Sequence, residues 1–215
     1  MLRKIIKTLI PSKGDIFFNF FVEAAKNVHA SANMLAMIIN SQDNGEEAQL
    51  SMNLRANKQL AVEIEAKDIH ELSRQFITPI DRGDIKELSG LLLKLTKRIV
   101  KINQKLNVYS IDTRADDCLI KSANTLQNIT KVLVGIMIAL KKGNYDSIAR
   151  GDQKTDEFDD SAIEDLRHAM NEISNSSYDT ITVLKLKEIY QSIEIAIDNS
   201  VNIADLVVQI SVKDM

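Results

Sequence analysis

The sequence predicts an all-α fold, an elongated antiparallel bundle of six helices. Three observations carry that expectation. Two prolines, seven glycines and no tryptophan in 215 residues leave little turn chemistry to punctuate a β or α/β chain. Leu, Ile, Ala, Lys, Glu and Asp dominate instead, a composition that suits long helices. Apolar residues then recur at helical spacing through nearly everything after Pro11.

Each helix can be placed from its punctuation. The first is expected from Asp15, with Phe17, Phe18, Phe21, Val22, Ala25, Val28, Ala32, Leu35, Ile38 and Ile39 at bundle-like intervals, until the polar stretch Ser41 to Gly45. A second runs from about Glu46 to Gln75 and stops at Phe76-Ile-Thr-Pro-Ile-Asp-Arg82, where Pro79 removes a donor and disfavours helix at Thr78. Asp81, with Asp84 three residues on, reads as the N-cap of a third helix reaching about Asn107. Arg82 beside it belongs to the same turn and cap, or grips the carboxylate of a partner. After a break at Tyr109 to Thr113, a fourth helix covers about Ala115 to Lys142, with Gly143-Asn144 as its stop. The fifth, markedly acidic, is expected from about Asp152 to Ile173, and the last from about Asp179 to Val212. Helices of this length are about 40 Å long, and short links make neighbours antiparallel.

Composition also excludes function classes. A net charge of −3 and a pI near 5.7 provide no basic field for a nucleic-acid backbone. The single cysteine, Cys118, excludes an intramolecular disulfide, and nothing resembles a secretory signal. The apolar stretch Val132 to Leu140 falls short of the ~20 residues of a membrane span, so a cytoplasmic location is expected. Met1 to Lys13 sets Arg3, Lys4, Lys7 and Lys13 among Leu2, Ile5, Ile6, Leu9 and Ile10. Such a segment can lie peripherally on an anionic membrane, without insertion, or dock on the bundle.

Six helices divide as three plus three within one domain, 1–215, giving pseudo-repeats of about 12–107 and 110–213. The third and sixth helices align directly: Lys86-Glu87-Leu88 with Lys187-Glu188-Ile189, Leu92 with Ile193, Ile99 with Ser200, and Ile102 with Ile203. In the sixth, Glu194, Asp198 and Asp205 fall within roughly 40° of one another around the axis, beside an apolar face of Ile189, Ile193, Ile197, Val201, Ala204 and Val208. The matching third-helix positions are Leu93, Lys97 and Gln104.

Phe76-Ile-Thr-Pro-Ile-Asp-Arg-Gly-Asp-Ile85 resembles the interhelical FITPxDREDI signature of the PhoU-like proteins often encoded beside Pit-type inorganic phosphate transporters. Leu186-Lys-Glu-Ile-Tyr-Gln-Ser-Ile-Glu-Ile-Ala-Ile-Asp198 is similar to their C-terminal K-x-I-Y-x-x-x-E-x-x-x-D helix, and Val201 to Asp205 continues it. The resemblance implies two three-helix repeats and E/D-x-x-x-D motifs that hold iron- or zinc-like clusters. It also implies regulation of phosphate uptake, through a phosphate transporter or a regulatory protein, in place of catalysis.

This chain departs from that pattern. Lys58 and Val62 occupy the expected second-helix positions, Glu65 and Asp68 have the wrong interval, and Leu93, Lys94 and Lys97 replace third-helix aspartates. The fifth helix keeps Asp156, Asp159, Asp160 and Glu164, yet Asp159 is followed four residues later by Ile163. Glu194 and Asp198 are therefore the metal candidates, with Asp160, Glu164 and Asp205 as further ligands for a divalent or iron-type ion. The other reading is a solvated, salt-bridged helix edge with no resident cofactor. A metal-binding carboxylate protein built on helices five and six is the alternative function. A homodimer along exposed apolar stripes is a further expectation.

No glycine-rich phosphate loop, GxSxG elbow or H-E-x-x-H pair occurs, so no catalytic residue is expected. His29, His70 and His168 are widely spaced and read as helix-surface residues; Cys118 reads as a small buried one.

Overall fold

Asparagine and aspartate side chains start five of the six helices. In the computed structural model, which describes residues 15–41, 43–111, 116–176 and 178–213, α1 spans Asp15–Asn40, α2 Asn44–Arg74, α3 Arg82–Tyr109, α4 Asp117–Lys142, α5 Tyr145–Ser174 and α6 Thr180–Lys213. No strand occurs among the described residues. The basic N-terminal segment lies outside them. The side chains of Asp43, Asp81, Asp116, Asn144 and Asp179 each accept from an otherwise orphaned N–H in the following first turn. Two helices end in left-handed residues, Ser110 at φ 51° and Gly143 at φ 62°.

The expected boundaries agree closely except for α5, which begins seven residues before Asp152, at Tyr145. Gly143 closes α4, and Asn144 at once caps α5 through Ser147 N at 3.0 Å, so almost no loop intervenes. Gly151 is an interior helical residue, not a breaker. A Cβ there would stand 2.5 Å from Cγ1 of Ile136, so its missing side chain lets α5 approach α4 closely.

The helices α1, α2 and α3 pack on one another, as do α4, α5 and α6; α1 meets α4, and α3 and α4 both meet α6. Against this frame α2 and α5 lie outside, each packed on the two other helices of its own triple. One apolar cluster joins all six. Phe17, Phe21 and Leu35 enter from α1, Leu54 from α2, Leu88 and Ile99 from α3, Leu126 and Leu133 from α4, Ile148 from α5 and Ile193 from α6. The outer helices contribute fewer anchors, and α2 adds a polar tie, Asn103 Nδ2 donating to Ser51 Oγ at 3.0 Å.

The buried face of α6 is not quite the expected one. Ile189, Ile193, Ile197 and Ala204 are buried, but Val201 and Val208 are half-buried, and Ile203, Val207 and Ile210 fill the core instead. Steps of four residues advance about 400°, so a strict i+4 series drifts off the buried stripe by about 40° per step. By length and composition alone α4 and α6 could also cross a membrane, a possibility the apolar-run test passed over. In the bundle 56% and 50% of their most apolar windows are buried, which gives that hydropathy a structural use as core.

Candidate functional site

Two surfaces answer to the motifs in the sequence, and the first is the turn between α2 and α3. Pro79 cannot donate, Thr78 Oγ1 donates to the carbonyl of Ile80 at 2.7 Å, and Ile80 is buried beneath the turn. Asp81 Oδ1 accepts from Gly83 N and Asp84 N, starting α3. The Arg82 guanidinium reaches back to α2, donating to the carbonyls of Leu72 and Gln75 at 2.7 Å each. Leu72 lies in the last turn of α2 and Gln75 is its C-cap residue, so neither carbonyl has an intrahelical donor. The guanidinium is thus engaged as a C-cap of the preceding helix. Lys213 at the end of α6 ties in through both oxygens of Asp84, at 2.9 and 3.0 Å. Held from both sides, the turn projects Phe76 and Ile77 outward, 101% and 88% exposed.

The second surface is an acidic seam between α5 and α6. Asp159 lies in the field of Asp198, and Glu194 in the fields of Asp198 and Asp159; further along, Asp152 faces Asp205. Burial first, then the neighbouring carboxylates, raises the pKa of Asp152, Asp159 and Glu194 above the usual range. The structure therefore joins Glu194 and Asp198 with Asp159. It sets Asp205 opposite Asp152 and leaves Asp160 exposed beside Asp159. Glu164 is engaged elsewhere, by Arg167 at 2.5 and 3.1 Å. Asp152, Asp156 and Asp159 follow an i, i+4, i+7 pattern that a single four-residue interval from Asp159 overlooks. As placed, the seam offers pairs of carboxylates. Among the described residues no three of them bring donor oxygens within 4.8 Å of one another, so the seam presents no closed set of ligands to a single ion.

No family model matches the chain. The UPF0111 protein YkaA of Bacillus subtilis (strain 168) is 24% identical over 208 residues, spanning 96% of this chain and 100% of its own length. A PhoU-like protein from Shewanella oneidensis MR-1 superposes with a TM-score of 0.82 at 12% identity, over 91% of this chain and 99% of that one. The chain has the PhoU-like fold. A putative PhoU-like phosphate regulatory protein from the same organism agrees, with a TM-score of 0.78 at 12% identity over 92% and 99% of the two chains. At 12% identity the two superpositions concern the helical frame. In the interhelical turn Thr78, Asp81 and Arg82 each hold a backbone group or a cap.

Proposed function

We propose that this PhoU-like chain is a non-enzymatic, cytoplasmic accessory protein of inorganic phosphate uptake. It acts by contact with a phosphate transporter or a regulatory partner. The observation that carries this reading is the pair Phe76–Ile77, two adjacent large apolar side chains left in solvent on a turn built to hold them there. Burying such a pair on a partner contributes about 1.5–3 kcal/mol per side chain. Scattered single apolar residues need no explanation, but a rigid apolar tip in the segment bearing the family resemblance does. The surface of α6 and the exposed stripes elsewhere also leave room for a homodimer; a clean monomer in sedimentation at micromolar concentration removes that part.

The test is a pull-down of the tagged protein from its native cell, grown phosphate-replete and phosphate-starved. Recovery of a phosphate permease that changes with phosphate supply is the expected result. Absence of any transporter under both conditions contradicts the reading. The alternative, a metal-binding carboxylate protein on α5 and α6, has the raised carboxyls of Asp159 and Glu194 in its favour. Near-zero iron, zinc and manganese in gently purified protein would sink it.

A further inference from the structure

At the far end of α3 from the interhelical turn, α4 and α5 flank a cleft of about 840 Å³. Three chemically different ligand groups converge in it. Cys118 stands in the first turn of α4, and His168 and Glu172 lie one turn apart on α5. Cys118 Sγ is 3.7 Å from His168 Nδ1 and donates to Glu172 Oε2 at 3.2 Å; His168 Nδ1 is 3.7 Å from Glu172 Oε1. Tetrahedral coordination with bonds of about 2.0–2.3 Å has ligand-to-ligand edges of about 3.3–3.8 Å. With one oxygen of Glu172, the three donor atoms lie within 4.8 Å of one another, so rotamer adjustments alone bring them onto three corners of such a tetrahedron.

A second observation points the same way. Asp165 lines the same cleft and is 8% exposed; Lys121 holds its Oδ1 at 2.6 Å, while its Oδ2 is buried without a partner. A buried carboxylate oxygen left unpaired costs free energy, and this one belongs to a side chain that lines the cleft. The surroundings are also fixed. Asp116, which caps α4 through Leu119 N at 2.9 Å, is gripped by the buried Tyr190 hydroxyl of α6, so the thiol is presented from a tethered helix start.

Competing uses of the thiol fit less well. It has no second cysteine to pair with. We propose that Cys118, His168 and Glu172 form a site for one Zn²⁺-class ion, bound through the thiolate, Nδ1 and a carboxylate oxygen, with the fourth position open to the cleft for water. A borderline-soft ion suits this S, N, O donor set, whereas a hard ion such as Mg²⁺ does not. On binding, the thiol proton leaves to solvent as the S–Zn bond forms, and the ion clamps α5 to α4.

The site is distinct from the seam and independent of the phosphate reading, and its test can fail on its own. Reduced, chelator-treated full-length protein is titrated with Co²⁺ and then with Zn²⁺. The expected result is a near-ultraviolet thiolate-to-cobalt charge-transfer band that saturates at one equivalent, is displaced by Zn²⁺, and accompanies proton release. Cys118→Ser abolishes the band, while His168→Ala and Glu172→Gln weaken binding by at least about tenfold, with helical circular dichroism retained. The Asp159→Asn/Asp198→Asn double variant keeps the band unchanged. A wild-type protein with no thiolate–cobalt band overturns the proposal. So does a cobalt complex that survives Cys118→Ser and is lost in the seam variant.

Discussion

Asp68 lies on the buried face of α2 with a relative exposure of 0%, and neither carboxylate oxygen has a partner in hydrogen-bonding geometry. Burial pushes its carboxyl up to about 6; the nearby Ser89 hydroxyl holds the rise back, and Glu65 adds to it. Between the ordinary value of 3.8 and about 6, the folded chain keeps a proton that the unfolded chain has released. Stability from this group is therefore fully present below the unfolded value and lost as pH rises through that window. Asp68→Asn keeps the shape without the charge. It should gain up to about 3 kcal/mol in urea unfolding at neutral pH and flatten the pH dependence across the window. An equal loss of stability at neutral pH would instead mean a charged, well-paired carboxylate. In the sequence Asp68 stood out only as a metal-motif residue at the wrong interval, since spacing reports a face and not the depth of burial.

At the scale of elements, helix ends were the best and the worst of what could be read. Asp81 announces α3 because an Asx residue followed by a carboxylate is a local signal, independent of tertiary context. Arg82 is different. Its bonds reach back ten and seven residues to Leu72 and Gln75, and no local rule anticipates a helix-start arginine serving as the C-cap of the preceding helix. Arg82→Lys cannot span both carbonyls with one ammonium. It should cost about 1–2 kcal/mol in denaturant unfolding and speed hydrogen exchange in the last turn of α2. Unchanged exchange there would show that the two bonds do not hold the turn. The start of α5 eluded the sequence for the opposite reason. Gly151 sits inside the helix, where Ile136 of α4 occupies the space of its absent side chain, a fit that no local signal reports.

For the whole molecule, periodicity identifies which face of a helix is buried but not which helix receives it. Leu92, Ile102, Ile193 and Ile203 are all buried, as the spacing of their own helices predicts. The junctions of α1 with α4 and of α3 with α6, however, follow only from the assembled bundle. The same limit hid the thiol–imidazole–carboxylate group. His168 and Glu172 share a face by spacing, while Cys118 comes from 50 residues earlier and meets them only because α4 and α5 run antiparallel. The acidic seam was half legible: Glu194 and Asp198 were named, and their partner Asp159 was set aside on an interval test along its own helix.

On the proposed reading, the Phe76–Ile77 tip is the surface through which this PhoU-like chain meets the phosphate-uptake machinery. Placing a photo-crosslinking phenylalanine analogue at position 76 in growing cells tests it most directly, with the same analogue at the exposed Glu157 as a control. The expected result is a covalent adduct between position 76 and a phosphate permease or its regulator, varying with phosphate supply and absent from position 157. No such adduct at position 76, or equal adducts at both positions, would contradict it.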